Sequence, residues 1–265
     1  MRTISSRQNS LVQACRALAR APEPGGRRLL LDGVHLVREA IDAGIRLEVV
    51  VVAASQLTGD TEAGALARDL DRRGVDVVSA TDSVCAAISP VTTPSGLTAV
   101  AVRTPGNRAA LFAPPDAFVL VLADVQDPGN VGGLLRTAEA GGVTGAAVCG
   151  ASANPFSWKA LRGSMGSAFR LPLVTGLAVG DALDDLRSHG VRTVAAVARD
   201  GAHPDAVDWR GRVALLLGGE GLGLSPDVVA RCDARVTIPM APPVESLNVG
   251  ASGAVLIYAA RRQRR

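Results

Sequence analysis

Three short polar stretches of the chain carry residue types that could do chemistry, and each follows an apolar run. The last stretch is Glu245-Ser246-Leu247-Asn248, directly before a C-terminal segment rich in small and apolar residues. Ser246 or Asn248 could cap a helix that begins there, because their side-chain oxygens accept hydrogen bonds from the free amides of a first helical turn. Capping accounts for only one of the three polar residues, so the stretch is also a candidate ligand site.

The first polar stretch is ADVQDPGNVGGLLRTAEAGG, residues 123–142. Residues 127–129 predict a turn, and Asn130 predicts the N-cap of the helix that follows. Arg136 has only a glycine and an alanine four positions away on either side, so it projects from a helix face that is nearly bare. It is either an arginine on a solvated helix or one that faces a ligand, and the isolated segment does not decide between them.

The second polar stretch is LLLGGEGLGLSPDVV, residues 215–229. The glycines at 218–219 would let the backbone approach a ligand closely, and Ser-Pro at 225–226 predicts the start of a helix. The dinucleotide-binding pattern G-x-G-x-x-G fails, because its third glycine position is Leu224. Glu220 either makes hydrogen bonds within the loop or faces a cationic or hydroxyl-bearing ligand. Neither a phosphate-binding P-loop nor a G-x-S-x-G hydrolase motif occurs in the chain.

All three stretches belong to a C-terminal domain in which apolar runs alternate with helical periodicity. The predicted strands are residues 118–125, 145–150, 191–198, 213–219 and 234–240. Strands that alternate with helices predict a mainly parallel sheet, and such sheets bind ligands at the carboxyl ends of their strands. The polar stretches follow strand ends, so we expect them to meet at one edge of the sheet.

The N-terminal part of the chain also alternates between helices and strands. Predicted helices cover residues 11–20, 34–44, 62–74 and 82–89, and predicted strands cover residues 27–33, 47–53, 75–80 and 96–103. The proline-rich residues 104–116 then predict a linker. We therefore expect a first domain over residues 1–103, a linker over 104–116 and a second domain over 117–265.

The composition is typical of a folded soluble protein, with 48% hydrophobic and 20% charged residues in 265. No apolar stretch approaches the ~18 residues of a membrane span, and the N-terminus lacks the apolar segment of a signal peptide, so we expect a cytoplasmic protein without membrane contact. Four scattered cysteines and three histidines form no metal-ligand pattern, so neither metal nor disulfides are expected. A net charge of +3 supports nucleic-acid binding only weakly. The terminal RRQRR predicts a frayed, basic helix end.

Taken in order, the three stretches resemble the signature motifs of the SpoU/TrmH branch of the SPOUT RNA 2′-O-ribose methyltransferases. The matching patterns are N-x-G-x-x-x-R-T-A at 130–138, G-G-E-G-x-G at 218–223, and I-P-M through S-L-N-V at 238–249. The first domain is similar to the L30e-like substrate-binding domain of many members, with Asp32 where the family commonly has Glu. The resemblance covers nearly the whole chain. It implies an α/β fold in which a SPOUT α/β knot, with a trefoil-knotted, mainly parallel sheet, follows a smaller L30e-like α/β domain.

The resemblance also implies a cofactor, S-adenosyl-L-methionine, bound in the knot mainly by backbone groups. Its contacts would be Gly218, Gly219, Ile238, Met240 and Leu247. Arg136 matches the family's catalytic arginine. Because a guanidinium is always protonated in proteins, we assign it phosphate anchoring and stabilisation of the forming alkoxide, while the role of a base activated by the neighbouring phosphate stays open.

Four further residues match catalytic motif positions of the family: Asn130, Glu220, Ser246 and Asn248. By this resemblance Asn130 and Asn248 would order the loops, and Glu220 and Ser246 would bind the ribose or an incoming arginine. Family members are homodimers with the site at the interface, so a homodimer is expected, with the last helix and the RTAEAGG segment as contact surfaces.

The expected partner is RNA, and the first-domain resemblance favours ribosomal RNA of the 23S type over tRNA. Two alternatives are a tRNA 2′-O-methyltransferase and a noncatalytic RNA-binding or ribosome-assembly factor with the same fold. The noncatalytic alternative is disfavoured because every motif residue is present. Housekeeping modification and protection against a ribosome-targeting antibiotic are not separated by the sequence.

Overall fold

The computed structural model describes residues 1–264 and divides into two compact units. Unit 1 consists of Met1–Pro105 together with Phe156–Phe169. Unit 2 consists of Gly106–Pro155 and the described chain from Arg170 onward. The assignment of Phe156–Phe169 to unit 1 has no counterpart in the sequence periodicity, which places this segment inside the second domain.

Unit 1 is built on a mixed five-stranded sheet covered by helices. Its strands are β1 (Arg2–Ile4), β2 (Arg28–Asp32), β3 (Arg46–Ala53), β4 (Val77–Ala80) and β5 (Leu97–Val102). They lie in the order β1-β4-β3-β5-β2, with β5 antiparallel to both of its neighbours. Its first helices are α1 (Ser10–Arg20), α2 (Val34–Asp42), α3 (Ala54–Thr58), α4 (Glu62–Arg72) and α5 (Asp82–Ile88). The predicted elements of this part are confirmed, while β1 and α3 were not predicted.

Unit 2 contains a six-stranded sheet in which every strand pair is parallel, as the sequence predicts. Its strands are β6 (Phe118–Ala123), β7 (Gly145–Cys149), β8 (Leu173–Leu177), β9 (Arg192–Ala196), β10 (Val213–Gly218) and β11 (Ala234–Val236). Their order is β11-β9-β10-β6-β7-β8. β8 was not predicted, because it is short and carries Gly176 at a positive φ of 78° in its interior.

The later helices lie between these strands in the sequence or follow the last of them. They are α6 (Pro128–Gly141), α7 (Trp158–Ser164), α8 (Ser167–Arg170), α9 (Val179–Ser188), α10 (Pro226–Arg231) and α11 (Val249–Gln263). α11 packs on α6 and β10 through glycines. A Cβ added to Gly253 would lie 2.2 Å from Leu134 Cδ2, and one added to Gly141 would lie 2.1 Å from Ile257 Cγ2. The small residues of the last helix therefore permit close helix packing.

The C-terminal arginines anchor the chain end, so the prediction of a frayed basic tail is wrong for them. The Arg261 guanidinium donates a hydrogen bond to the carbonyl oxygen of Ala140 at 2.7 Å. Arg264 donates to the carbonyl oxygen of Gly211 at 2.7 Å and lies over the Phe118 ring, 5.0 Å from its centroid. Carbonyl groups that lack a partner at element ends attract these donors.

Within residues 1–264, no helix is both long enough and apolar enough to cross a membrane.

Candidate functional site

A cavity of about 550 Å³ lies in unit 2 at the carboxyl edge of the parallel sheet. Ala123 of β6 and Gly218 of β10 are paired at the ends of adjacent strands. From β6 the chain continues to β7 on one side, whereas from β10 it continues to β11, beyond β9, on the other. The connections therefore diverge between β6 and β10, which is where open α/β sheets form a ligand crevice.

The cavity brings together eight of the ten predicted site residues. These are Gly218, Gly219, Glu220, Ile238, Met240, Ser246, Leu247 and Asn248. They come from the loop after β10 and from the segment between β11 and α11. Apolar side chains of β10 and α11, Leu217 and Leu256, complete one wall. The cavity thus has an apolar wall and a polar rim.

Asn130 does not line the cavity but joins its rim through two hydrogen bonds. The Asn130 Nδ2 donates to Glu220 Oε1 at 2.6 Å, and the Asn248 Nδ2 donates to Asn130 Oδ1 at 3.3 Å. Asn248 Oδ1 in turn accepts from the amide of Gly250 at 2.8 Å as the N-cap of α11. One chain of side-chain hydrogen bonds therefore connects the first turn of α6 and the loop after β10 with the start of α11.

Glu220 is the anionic residue in this chain of hydrogen bonds. Burial acts to raise its pKa, but hydrogen bonds from the Asn130 side chain and from backbone amides, including that of Gln126, hold the pKa below its usual value. The Gln126 amide donates to Glu220 Oε2 at 3.1 Å. Both carboxylate oxygens of Glu220 thus accept hydrogen bonds from the protein. Of the two roles that the sequence left open for Glu220, the geometry matches hydrogen bonding within the protein.

The predicted cap at Asn130 is wrong, because α6 begins earlier. Asp127 is the N-cap, and its Oδ1 accepts from the Asn130 amide at 2.8 Å. Pro128 occupies the first helical position, where its fixed φ and missing donor are tolerated. This start places Asn130 in the first turn of α6. Its side chain does not cap the helix and donates a hydrogen bond to Glu220 instead. The predicted cap at Ser225 is confirmed. Of the two residues that could cap the last helix, Ser246 and Asn248, the cap is Asn248.

The glycine pair after β10 is required by the protein's own backbone. A Cβ on Gly218 would lie 2.2 Å from Gly223 C, and a Cβ on Gly219 would lie 2.1 Å from the carbonyl oxygen of Asp124. The loop folds back on itself, with the Gly223 amide donating to the Gly219 carbonyl at 3.1 Å. Close packing of two loops, rather than ligand approach alone, therefore explains these glycines.

Backbone groups in the segment between β11 and α11 are free to bind a ligand. Among residues 1–264, Ile238, Met240 and Leu247 form no backbone hydrogen bond, although all three line the cavity. The Ser246 side chain is also exposed and has no partner in the described chain. Because polar backbone groups that line an apolar cavity need partners, this segment suits a ligand with hydrogen-bonding edges.

Arg136 stands apart from the other site residues. It lies on α6, exposed, and does not line the cavity. Six residues separate it from Asn130, which corresponds to about 9 Å along a helix axis. Over the described part of the chain its guanidinium makes no hydrogen bond or ion pair. The position is consistent with both readings of Arg136 that the sequence left open.

Two further polar residues at the site were not predicted. Asp124, directly after β6, has a positive φ of 61° and accepts from the Ala151 amide at 2.7 Å. Its position at a strand end was the available signal. Glu245 was noted only as part of a polar stretch, and it forms an ion pair with Arg199 at 2.9 Å. Across residues 1–264, no group of three or more His, Cys, Asp or Glu side chains could hold a metal ion.

Two family models match the chain, one in each half. Residues 117–258 match the SpoU rRNA methylase family, and residues 24–99 match the MRM3-like substrate-binding domain. The chain is 28% identical to the 23S rRNA (guanosine(2553)-2′-O)-methyltransferase RlmP of Bacillus subtilis, over 97% of this chain and 98% of that protein. It is 33% identical to an uncharacterized tRNA/rRNA methyltransferase of Synechocystis, over 98% and 94% of the two chains.

The fold is also similar to solved structures. An AdoMet-bound rRNA methyltransferase from Sinorhizobium meliloti superposes with a TM-score of 0.85 at 26% identity, covering 98% of this chain and 97% of that one. The matched family model spans all three motif stretches and the cavity they form. The chain therefore belongs to the SpoU rRNA methylase family.

Proposed function

We propose that the protein is an S-adenosylmethionine-dependent RNA ribose 2′-O-methyltransferase that acts on ribosomal RNA. The observation that carries this proposal is the cavity at the divergence of β6 and β10, where two of the three motif stretches line the walls and the first is hydrogen-bonded to the rim. The similarity to RlmP, a 23S rRNA methyltransferase, supports ribosomal RNA over tRNA as the substrate.

The residues present fit S-adenosylmethionine. The cavity volume of about 550 Å³ falls in the range of cofactor sites, which are mostly apolar with a few polar groups. Backbone groups of Ile238, Met240 and Leu247 would hold the adenine and ribose edges, and the loop at Gly218 and Gly219 would form the floor. The anionic Glu220 on the rim favours a ligand that carries a positive charge. When bound, the cofactor supplies a methyl group on a sulfonium.

The chain's own residues would then position the acceptor. Methyl transfer forms a bond from the ribose 2′-oxygen to the methyl carbon as the carbon–sulfur bond breaks and the demethylated cofactor leaves. The hydroxyl proton passes to solvent water, and negative charge develops on the 2′-oxygen as the proton departs. The Arg136 guanidinium stabilises this charge and anchors the adjacent phosphate, because its planar fork presents several donors at once. The hydrogen bond between Asn130 and Asn248 holds the starts of α6 and α11 together. The hydroxyl of Ser246, which has no partner in the described chain, is available to the ribose.

A homodimer completes this arrangement. α11 exposes Val255 and Tyr258, with 44% and 46% of their surfaces accessible, and Ala251 precedes them on the same helix face. Large apolar side chains grouped on one helix face mark an interaction surface. α6, packed beside α11, exposes Arg136 and Ala140. A symmetric pairing through these two helices would bring Arg136 of one subunit to the cavity of the other. The segment between β11 and α11 would form the trefoil knot expected for the family.

Ligand-dependent unfolding and methyl transfer test the proposal. A ligand present at about 100 times its Kd stabilises the folded state by about 2.7 kcal/mol, so S-adenosylhomocysteine should raise the melting temperature while NAD leaves it unchanged. Tritium from labelled cofactor should pass to ribosomal RNA, and nuclease mapping should place it on a ribose oxygen. Stabilisation by NAD alone would contradict the cofactor, and label on a base would contradict the reaction.

A further inference from the structure

A second cleft, of about 620 Å³, is lined entirely by residues of unit 1. It is found where β2 and β3 begin and β5 ends. Its charged and aromatic lining residues are Arg27, Arg46, Arg103 and Phe169, and we call it the arginine cleft. Asp32 lies at the opposite end of β2 from Arg27, so the cleft does not include the turn that follows β2.

The arginine cleft is positively charged and lacks a compensating carboxylate among its lining residues. Arg27 and Arg46 are exposed, and over residues 1–264 their guanidinium groups form no hydrogen bond or ion pair. Arg103 is partly buried and is oriented by neutral groups. Its Nη1 donates to the carbonyl oxygen of Gly25 at 2.8 Å, and its guanidinium lies 4.3 Å from the centroid of the Phe156 ring.

Two of the acidic residues close in sequence to these arginines, Glu23 and Glu48, are already engaged by Arg28. Glu48 accepts two hydrogen bonds from the Arg28 guanidinium, at 3.1 and 2.8 Å, and Glu23 accepts from the Arg28 amide at 3.2 Å. Partial burial removes solvent from the Arg103 guanidinium and thereby lowers its pKa. Three guanidinium groups without a carboxylate in the same cleft therefore form a site for an anion.

Phe169 points to the chemistry of that anion. It is a partly exposed aromatic residue in the wall of the cleft, in a chain with only four phenylalanines. Cationic grooves with aromatic side chains are typical of single-stranded nucleic-acid binding, because arginines hold the phosphates while bases stack on the rings. We propose that the arginine cleft binds a single-stranded segment of the substrate RNA, with Arg27, Arg46 and Arg103 on phosphates and Phe169 against a base. This inference rests on RNA being the substrate, as proposed above.

The experiment measures binding of a fluorescein-labelled, 12-nucleotide single-stranded RNA to the full-length protein over a range of salt concentrations. The test variant is Arg27→Ala/Arg46→Ala. The control is Arg187→Ala/Arg235→Ala, which removes two exposed arginines of unit 2 that also form no hydrogen bond or ion pair within the described chain. Loss of two phosphate contacts should reduce the slope of log K against log salt by roughly 1.4 in the test variant. The control should bind like the wild type.

Two further arms separate a nucleic-acid strand from a free anion. Phe169→Leu should weaken RNA binding about fivefold or more through lost stacking, whereas Phe169→Trp should retain it. Inorganic tripolyphosphate should compete weakly. An unchanged slope in the test variant, an equal loss in the control, or competition by tripolyphosphate as strong as by RNA would overturn the inference.

Binding and catalysis are read separately. If the test variant loses RNA affinity but the wild type methylates no RNA, RNA binding by the arginine cleft is supported while the proposed methyltransferase function fails. If ribosomal RNA is methylated and the test variant binds the oligonucleotide like the wild type, only the inference fails. Melting temperatures of all variants, measured with and without S-adenosylhomocysteine, show that the folded state is intact.

Discussion

Replacement of Arg136 by alanine should abolish methyl transfer while leaving the folded protein almost unchanged. Arg136 is exposed on α6 and has no hydrogen-bond or ion-pair partner over residues 1–264. Arginine and alanine have similar helix propensities, so little free energy of unfolding depends on this side chain. The matched control is Arg187→Ala on α9, another exposed helical arginine whose guanidinium forms no hydrogen bond or ion pair in the described residues.

Two magnitudes are expected for Arg136→Ala, one for the free energy of unfolding and one for the rate of methyl transfer. A surface substitution without partners changes the free energy of unfolding by roughly 0.5 kcal/mol or less, which is about 2 °C or less in melting temperature for a chain of this size. Removal of a group that stabilises charge in the transition state typically costs roughly 100- to 1000-fold in rate. Arg136→Lys should recover little of this loss, because lysine retains the charge but not the planar fork.

The assay combines tritium transfer with subunit mixing. If Arg136 acts across a dimer interface, Arg136→Ala mixed with the cavity variant Leu247→Asp should regain activity, since each mixed dimer contains one complete site. With equal amounts and free exchange of subunits, about a quarter of the wild-type activity should return. Arg187→Ala should be fully active alone.

Three results would refute this reasoning. Normal methylation by Arg136→Ala would make the residue an ordinary solvated arginine. Dissociation of the variant into monomers would make it an interface residue. Loss of activity without recovery on mixing would mean that Arg136 serves the cavity of its own subunit.

Two other predictions follow from contacts in the structure. Gly253→Ala should destabilise the protein by about 1–3 kcal/mol relative to Gly180→Ala in urea unfolding, because its methyl group would meet Leu134 at 2.2 Å while that of Gly180 meets only an arginine nitrogen at 3.2 Å; equal stabilities would contradict the packing. Asn130→Ala should raise the pKa of Glu220 toward its ordinary value of 4.5 in a carboxyl NMR titration. A carboxyl group whose pKa is lowered in the folded state stabilises the protein at pH values above its ordinary pKa, and this stabilisation is lost as the pH falls. Because the pKa of Glu220 is lowered less in Asn130→Ala, this variant should lose less stability on acidification.

Local sequence rules predicted most of the sheet and part of the site. Ser225 before Pro226 and Asn248 before a small-residue helix both cap helices as expected, because capping depends on neighbouring residues alone. Asn130 did not, since Asp127 competes for the same role three residues earlier. The hydrogen bond from Asn130 to Glu220 joins residues 90 positions apart, so no local pattern contains it.

Other features lay beyond the reach of periodicity. The glycines at 218 and 219 look like a ligand-approach motif, yet the backbone of residues 124 and 223 already excludes a side chain there. The segment Phe156–Phe169 has ordinary helical composition, and only long-range contacts assign it to unit 1. Whether the Arg136 guanidinium has a hydrogen-bond or ion-pair partner depends on the residues around it in space, which a local sequence pattern does not specify.

The position of α11 after every strand of unit 2 has a consequence for synthesis. Leu134 on α6 and Leu217 near the end of β10 are both covered by the helix turn at Gly253. These apolar side chains must stay uncovered until α11 has been translated, whereas every segment of unit 1 precedes residue 170. At about 5–20 residues per second, this 15-residue helix takes on the order of one to three seconds to make. Unit 1 can therefore finish folding before α11 is made, while unit 2 closes only after it, and a chain terminated before α11 would expose an aggregation-prone surface.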